Sequence, residues 1–465
     1  MKGEASREPT TSRGAGDHTT GADRPAHALL TDLYELTMAA AYDAAGMEGE
    51  ATFELFVRSL PKERSFLVAC GLEGALDYLE GLRFTARDLD YLRTLDLFDE
   101  RFLTRLGALR FSGEVWAMPE GRVAFSGEPL LVVRAPLLEA QLVETFLLNA
   151  ITFPTLVASK AARVAIACAG RPFVDFSARR DHGPDAALLA ARAAFVGGGA
   201  ATATVEAGAR WGIPLSGTMA HSYVMAVGDE EAAFRAFARQ FRERTILLID
   251  TYDTLEGARR AARVARELAA EGIHVRAVRL DSGDLAALAL GVRRILDEAG
   301  CESVQIFASG DLDETRIAAL LAKGAPIDGF GVGTRLGTGG DAPTLSTVYK
   351  LVEDAQGPKM KLSTGKATLP GRKQVFRESR DGVLVRDVIA LAGEQLAGEP
   401  LLQPVMRGGR RLAPSEPLAT AQERCRTDLA RLPPSLRELA GQQSHPVELS
   451  PQLRALVEQL AAAPR

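Results

Sequence analysis

Cysteine is scarce. The four present, Cys70, Cys168, Cys301 and Cys425, lie far apart, with no CxxC pair and no histidine at zinc-ligand spacing. That argues against a sequence-encoded zinc site and against a disulfide framework, and it fits a reducing cytoplasm. A basic surplus is also missing: the formal net charge is -5, which excludes nucleic-acid binding that rests on overall positive charge, while leaving room for a local phosphate pocket. Long apolar runs are absent. The most apolar region, about 130 to 170, is broken by Arg134, Glu139, Glu144, Lys160 and Arg163, short of the roughly 18 apolar residues a membrane span needs. The first 28 residues, rich in Gly, Ser, Thr, Arg and Asp, lack the apolar core of a secretory signal and are expected to form a disordered tail.

What is present is a hydrophobic fraction of 46% in 465 residues, enough for two or three domains with a large core. From about residue 172 one phrase recurs: a short apolar strand, a small or polar cluster, then an amphipathic helix ending at glycine. The strands read PFVDFS, GIPLSGTM, TILLIDTY, HVRAVRLDSGD, SVQIFASGD and IDGFGVGT. Helices are expected over 253 to 270, with Gly272 behind, and over 284 to 299, with Gly300 behind. Such βα units favour an irregular, incomplete βα barrel over a doubly wound sheet, with the barrel over 146–345. The flanking stretches, 29–145 and 346–465, alternate strands with turns and are expected to pair into one discontinuous α+β domain.

In either architecture, active sites gather at the carboxyl ends of the strands. There the sequence places Asp175, Arg179, His221, Asp250, Asp281, Asp311 and Gly333. An acidic residue after a strand also serves as a helix N-cap, so each Asp alone is ambiguous. His221 is one of only six histidines and has no second ligand at metal spacing nearby. LDSGD (280 to 284) and ASGD (308 to 311) each put Gly beside Asp, a pattern suited to close backbone approach to a phosphate or ribose. GFGVGTRLGTGG (329 to 340) fits a phosphate cradle but has neither the P-loop ending nor dinucleotide-fold spacing. In DFSARRDHGPD (175 to 185), Phe176 offers a stacking face, Arg179 and Arg180 offer grips for a carboxylate or phosphate, and Pro184 opens a helix.

Taken together, TDLYELTMA (31 to 39), FELFVRSLP (53 to 61), DFSARRDHGPDAALLAARAA (175 to 194), GTMAHS (217 to 222), LIDTYDT (248 to 254), VRLDSGD (278 to 284), ASGDLDE (308 to 314), GFGVGT (329 to 334) and K-x-S-x-x-K-x-T-x-P-G-x-K (361 to 373) strongly resemble the nicotinate phosphoribosyltransferases. The resemblance implies an irregular barrel beside a domain built from both chain ends, in a homodimer with shared active sites. It implies transfer of phosphoribose from 5-phosphoribosyl 1-pyrophosphate to nicotinate, coupled to ATP through a phosphohistidine at His221, with Mg2+ carried on pyrophosphate and ATP. Asp250 and Asp281 join His221 as catalytic residues, Asp281 being a weak metal contact. Tyr34 from the partner and Phe176 would sandwich the pyridine ring, with Arg179, Thr202, Ser222 and Arg279 also binding substrate. Gly310, Asp311, Gly333 and Thr334 would cradle the 5-phosphate, and Asp32, Arg58, Lys361 and Lys373 are further candidates for phosphate contact across the dimer.

Two departures accompany the resemblance. Ala201-Thr202-Ala203-Thr204 has no carboxylate where nicotinamide-using relatives carry aspartate, which favours an anionic ring substrate, but it also lacks the Gly, Ser and Asn of typical nicotinate enzymes. KERSFLVAC (62 to 70) lacks the glycines usual after Leu-Pro. The competing readings are a divergent paralogue using nicotinamide or another ring, and a non-catalytic phosphate- or nucleotide-binding protein.

Overall fold

The computed structural model describes residues 27–363 and 368–462. Six short strands form one parallel sheet: β1 (Phe173–Asp175), β2 (Ala201–Thr202), β3 (Ile246–Leu248), β4 (Ala277–Leu280), β5 (Gln305–Ala308) and β6 (Gly329–Val332), in the order β2-β1-β6-β5-β4-β3. All four residues of β6 are buried, as expected of a parallel strand covered on both faces. The helices follow the apolar periodicity. Thr254–Ala269 packs Ala258, Ala261, Ala262, Ala265 and Leu268 inward, and Leu285–Glu298 packs Ala289, Val292 and Leu296 inward. The fold is an incomplete βα barrel beside an α+β unit.

Two strands differ from expectation. GIPLSGTM supplies no extended strand; Leu215 makes a single parallel bridge to Thr202. Pro214 has no N–H to donate, and the flanking bonds, Thr202 N–H to Pro214 O (3.0 Å) and Ser216 N–H to Thr202 O (3.0 Å), use up the contact before the chain turns away at Gly217. In its place the sheet takes β2, two small residues after a glycine run that showed no strand pattern.

The flanking unit draws on both chain ends. Its seven-stranded sheet runs Gly357–Pro358, Thr347–Asp354, Glu50–Val57, Pro129–Pro136, Glu114–Ala117, Gln403–Arg407 and Arg410–Arg411. A second sheet joins Glu399–Pro400, Lys373–Arg380, Val383–Leu391 and Val447–Leu449. Residues 1–26 of the expected tail lie outside the described residues. Its last two are packed: Ala28 is buried in the flanking core, and the His27 ring lies 5.5 Å from that of Phe146.

The helix Glu144–Ala167 runs through both parts. Leu147, Ile151 and Leu156 enter the flanking core, and Ala161, Val164 and Ala167 enter the barrel core. By length and composition it would cross a membrane, yet 72% of its most apolar stretch is buried inside the protein. Lys160 and Arg163 are buried with it, each paired to Glu314, so the helix is a core element.

Candidate active site

Every acidic residue after a strand faces the same ambiguity, cap or ligand contact, and the structure resolves it by pairs. The helices after β3, β4 and β5 are capped by Asp253, Asp284 and Asp313, whose carboxylates accept from the backbone N–H groups of Glu256, of Ala286 and Ala287, and of Arg316. The acids nearer the strand ends, Asp250, Asp281 and Asp311, are not used as caps. Since one carboxylate per helix suffices to satisfy the first turn, these three are free to serve the open end of the sheet.

Asp250 is held by the loop after the neighbouring strand. Its Oδ2 accepts from Asp281 N–H at 3.0 Å and from Ser282 Oγ at 2.6 Å. Its Oδ1 is buried without a hydrogen-bond partner and lies 3.9 Å from His221 Nε2. The other imidazole nitrogen, Nδ1, is 3.2 Å from Thr251 Oγ1. His221 opens the helix His221–Val227, and about 38% of its side chain is exposed. The ring thus sits between two β3 strand-end groups with one face open to a reactant, a placement unlike that of a histidine packed in a core. Ser222, the next residue, is exposed.

Asp281 Oδ1 accepts from Ser309 Oγ, tying the β4 loop to the β5 loop. Between them Gly310 has φ +97°, and a Cβ there would fall 2.1 Å from the Asp281 carbonyl oxygen. Asp311 follows at φ +48°, a left-handed conformation that aspartate tolerates better than most residues. Its carbonyl is held by Arg316 Nη1 at 2.8 Å. Arg279, at the end of β4, donates to Met219 O at 3.3 Å. Burial pushes its guanidinium below the usual range, Asp281 and Asp250 oppose that shift, and nearby Arg179 adds to it. Arg179 itself is exposed.

The β1 and β6 ends form the other wall. The Phe176 ring lies on Gly331, where a Cβ would meet it at 2.5 Å, and tilts against Phe307 with centroids 6.1 Å apart. Beneath it, Asp175 is buried; its Oδ1 accepts from Ser177 N–H at 2.9 Å and its Oδ2 from Thr202 Oγ1 at 2.8 Å. Burial raises its pKa above the ordinary carboxylate value. Thr202 is therefore a buried support for the strand end. Gly333 and Thr334 begin the turn Thr334–Gly337 beside Phe176, and a Cβ on Gly333 would lie 3.2 Å from Phe176 O.

The sequence reading missed Thr251, Ser282 and Ser309. Thr251 and Ser282 directly follow an expected acid and Ser309 lies two residues before one, and hydroxyls after strands are too common in sequence to mark themselves. The more distant candidates divide. Tyr34 is on the helix Leu33–Ala44, 46% exposed, beside Glu144 and Glu35. Asp32, also exposed, accepts from Thr145 Oγ1 at 3.2 Å. Arg58 leaves its Nε buried and unpartnered, and Lys361 is exposed. Lys373 is corrected by the structure: it is buried, ion-paired to Glu54 at 2.8 Å and bonded to Leu369 O and Gly371 O, so its ammonium is already consumed. Residues 364–367 of that motif lie outside the described residues.

Comparison with known proteins bears directly on this arrangement. Family models for the nicotinate phosphoribosyltransferase (NAPRTase) N-terminal and C-terminal domains match residues 29–152 and 394–457. The nicotinate phosphoribosyltransferase pncB2 of Mycobacterium tuberculosis is 51% identical over 425 residues, 91% of each chain. This chain belongs to the nicotinate phosphoribosyltransferase family. The Bacillus subtilis nicotinate phosphoribosyltransferase is 45% identical over 385 residues, 81% of this chain and 78% of that one. The crystal structure of human nicotinic acid phosphoribosyltransferase superposes with a TM-score of 0.81 at 31% identity, covering 93% of this chain and 100% of that one. That of the Pyrococcus furiosus nicotinate-nucleotide pyrophosphorylase gives 0.73 at 26% identity, covering 89% and 98%. Family membership spans the barrel and the flanking unit alike, so neither is an unrelated addition to a phosphoribosyltransferase core.

Proposed function

We propose that the chain joins nicotinate to 5-phosphoribosyl 1-pyrophosphate, forming nicotinate mononucleotide and pyrophosphate in NAD salvage, and couples the transfer to hydrolysis of ATP to ADP and phosphate through a phosphate carried on His221. The middle of the chain, 146–345, is the catalytic barrel, and the two ends, 29–145 and 346–465, are the flanking unit. The observation that carries the reading is the Asp250–His221 pair: a carboxylate with one oxygen locked by two donors and the other buried and unpartnered beside a half-exposed imidazole.

In the phosphorylation step, one imidazole nitrogen attacks the ATP γ-phosphorus and the bond to ADP breaks. The other nitrogen then keeps a proton and shares the positive charge. Asp250 Oδ1 faces Nε2 across 3.9 Å and would stabilise the cation electrostatically, a positioning role like that of the acid behind a catalytic histidine. Water finally takes the phosphoryl group from His221.

In the transfer step, the pyridine nitrogen attacks ribose C1 as the bond to pyrophosphate breaks, through a transition state with positive charge on the ribosyl ring. Phe176, and Tyr34 of the partner subunit, would hold the pyridine by its faces. Arg179 supplies charge for its carboxylate, with exposed Ser222 as a polar neighbour, whereas Thr202, expected to bind substrate, is buried and spends its hydroxyl on Asp175. Arg279 and Asp281 line the ribose and pyrophosphate, and Gly310, Asp311, Gly333 and Thr334 present backbone N–H groups to the 5-phosphate. Among the described residues no group of three or more His, Cys, Asp or Glu is placed to hold a metal. Mg2+ would arrive with the pyrophosphate; Asp281 is the residue that would hold it, and the ion would neutralise charge on the leaving group.

The shared site calls for a homodimer. Leu29, Leu30, Leu33 and Tyr34 are exposed at and just before the first helix, and Val205 and Leu215 are exposed near the β2 edge, with Met225 exposed on the His221 helix; we propose that the first group covers the partner's second. Four buried, free cysteines fit a cytoplasmic location.

The test is mononucleotide formation from nicotinate and, separately, nicotinamide, with phosphoribosyl pyrophosphate and Mg2+, each with and without ATP. Product from nicotinate, raised by ATP with matching ADP release, is expected. Product only from nicotinamide would overturn the substrate assignment, and no product from either would favour a different ring.

A further inference from the structure

Five charged side chains, four of them buried, meet where the long helix passes the barrel. Lys160 Nζ is 2.7 Å from Glu314 Oε2 and 3.0 Å from Asp341 Oδ1. Arg64 grips the same Asp341 with two bonds, Nε to Oδ2 at 2.7 Å and Nη2 to Oδ1 at 2.9 Å, and donates to Leu156 O at 2.7 Å. Arg163 Nε donates to Glu314 Oε1 at 2.9 Å and its Nη2 to Leu439 O at 2.8 Å. The side chains of Arg64, Lys160, Arg163 and Glu314 are 3% exposed or less. Burying this many charges is costly, and an apolar substitute of similar volume would hold the fold as well or better. The network therefore needs a reason other than stability.

Its connectivity supplies one. Glu314 is the first residue of the helix Glu314–Ala322, three residues past Asp311. Asp341 lies four residues past the turn Thr334–Gly337, which Gly333 and Thr334 begin. The two carboxylates are thus anchors for the two loops assigned to the 5-phosphate, and one ammonium joins them. Neither loop is directly hydrogen-bonded to the other through Asp311 or Thr334 side chains; β5 and β6 pair only upstream, at Phe307 with Gly329 and Ala308 with Phe330. Beyond those pairs, Lys160 joins the two anchors by charge, alongside the apolar core that takes Leu312 from one segment and Leu336 from the other.

We propose that Lys160, bridging Glu314 and Asp341, is a positioning residue that sets the spacing of the two phosphate-binding loops and so the affinity for the 5-phosphate of phosphoribosyl pyrophosphate. This rests on the cradle assignment made above. A sub-ångström change in loop spacing lengthens several phosphate contacts at once, so the effect falls on that substrate and not on nicotinate.

The experiment is steady-state kinetics of the intact protein without ATP. For Lys160→Met, KM for phosphoribosyl pyrophosphate should rise about tenfold or more, with KM for nicotinate within about twofold of wild type. A role confined to stability would lower the active fraction, and with it kcat, leaving that KM unmoved; this result overturns the proposal. If Lys160→Met does not fold, Asp341→Asn and Glu314→Gln each cut one tether, and unchanged KM in both overturns it equally. Thr334→Pro serves as a control on the cradle itself, because it removes one cradle N–H at a first helical position that proline tolerates. If it leaves KM for phosphoribosyl pyrophosphate unchanged, the cradle assignment fails; if it raises that KM while Lys160→Met does not, only the spacing inference fails.

Discussion

Asp250 turns toward His221 an oxygen that has no hydrogen-bond partner among the described residues. Its Oδ1 is buried and 3.9 Å from His221 Nε2, while Oδ2 is fixed by Asp281 N–H and Ser282 Oγ. A carboxylate held by one edge and open at the other orients an imidazole without competing for the nitrogen that reacts.

Removing the ring removes the coupling. His221→Ala should abolish stimulation by ATP and ADP release while sparing basal transfer from phosphoribosyl pyrophosphate. Parallel assays of mononucleotide and ADP decide it: stimulation equal to wild type would show that the phosphate is carried elsewhere.

Changing the carboxylate should be milder in structure and still severe in rate. Asp250→Asn keeps an acceptor for Ser282 but loses the charge facing His221. Transfer of labelled γ-phosphate to protein should fall about 10²-fold or more with little change in melting temperature. An undiminished phosphorylation rate would remove Asp250 from the mechanism.

Sharing of sites can be read by mixing two dead variants. Tyr34→Ala and His221→Ala place their defects on opposite sides of the proposed interface, so a mixed dimer retains one intact site. Refolded together in equal amounts, they should recover about a quarter of the ATP-stimulated activity. Recovery of none would mean that each chain builds its site alone.

A carboxyl under the glycine-rich turn makes stability depend on pH. Asp181 Oδ2 accepts from Ser177 Oγ at 2.9 Å, its Oδ1 is buried and unpartnered, and burial raises its pKa to about 6. With the folded value above the unfolded one, its contribution is fully present below about pH 4 and is lost as pH rises through about 6. Asp181→Asn should therefore be more stable than wild type at pH 8, by on the order of 1 kcal/mol once partial exposure is discounted, and the gap should close toward pH 4. Denaturant melts at the two pH values check the sign.

The tight turn after β5 has no room for a side chain. Gly310→Ala sets a Cβ 2.1 Å from the Asp281 carbonyl oxygen at φ +97°, and should cost on the order of 2–4 kcal/mol in chemical denaturation together with most of the transfer activity. Wild-type stability in this variant would mean that the turn adopts another course.

The sequence made β1, β3, β4, β5 and β6 legible because each is a run of buried apolar residues closed by glycine or acid, and their order along the chain follows from the βα rhythm. It also brought His221, Asp250, Asp281 and Arg279 forward together; the structure sets Asp250, Arg279 and Asp281 at the ends of β3 and β4, with His221 at the start of a helix beside them. Asp250 and Asp281 were singled out over Asp253 and Asp284, but for any one of them pattern alone left cap and site-facing acid open, since the two differ only in where the chain leaves the strand. β2 was invisible because two small residues carry no period. Lys373 misled because a lysine in a basic motif reads as solvent-facing until its partner Glu54, more than three hundred positions earlier, is placed beside it. The Lys160 cluster was hidden for the same reason: its members come from four separate stretches.

The helix Glu144–Ala167, whose first half belongs to one core and whose second half belongs to the other, denies the protein a seam. A chimera that exchanged barrels between relatives would have to cut this helix or mismatch one of its faces. The enzyme should therefore melt in a single calorimetric transition, and recombination within the family should favour crossovers outside these 24 residues.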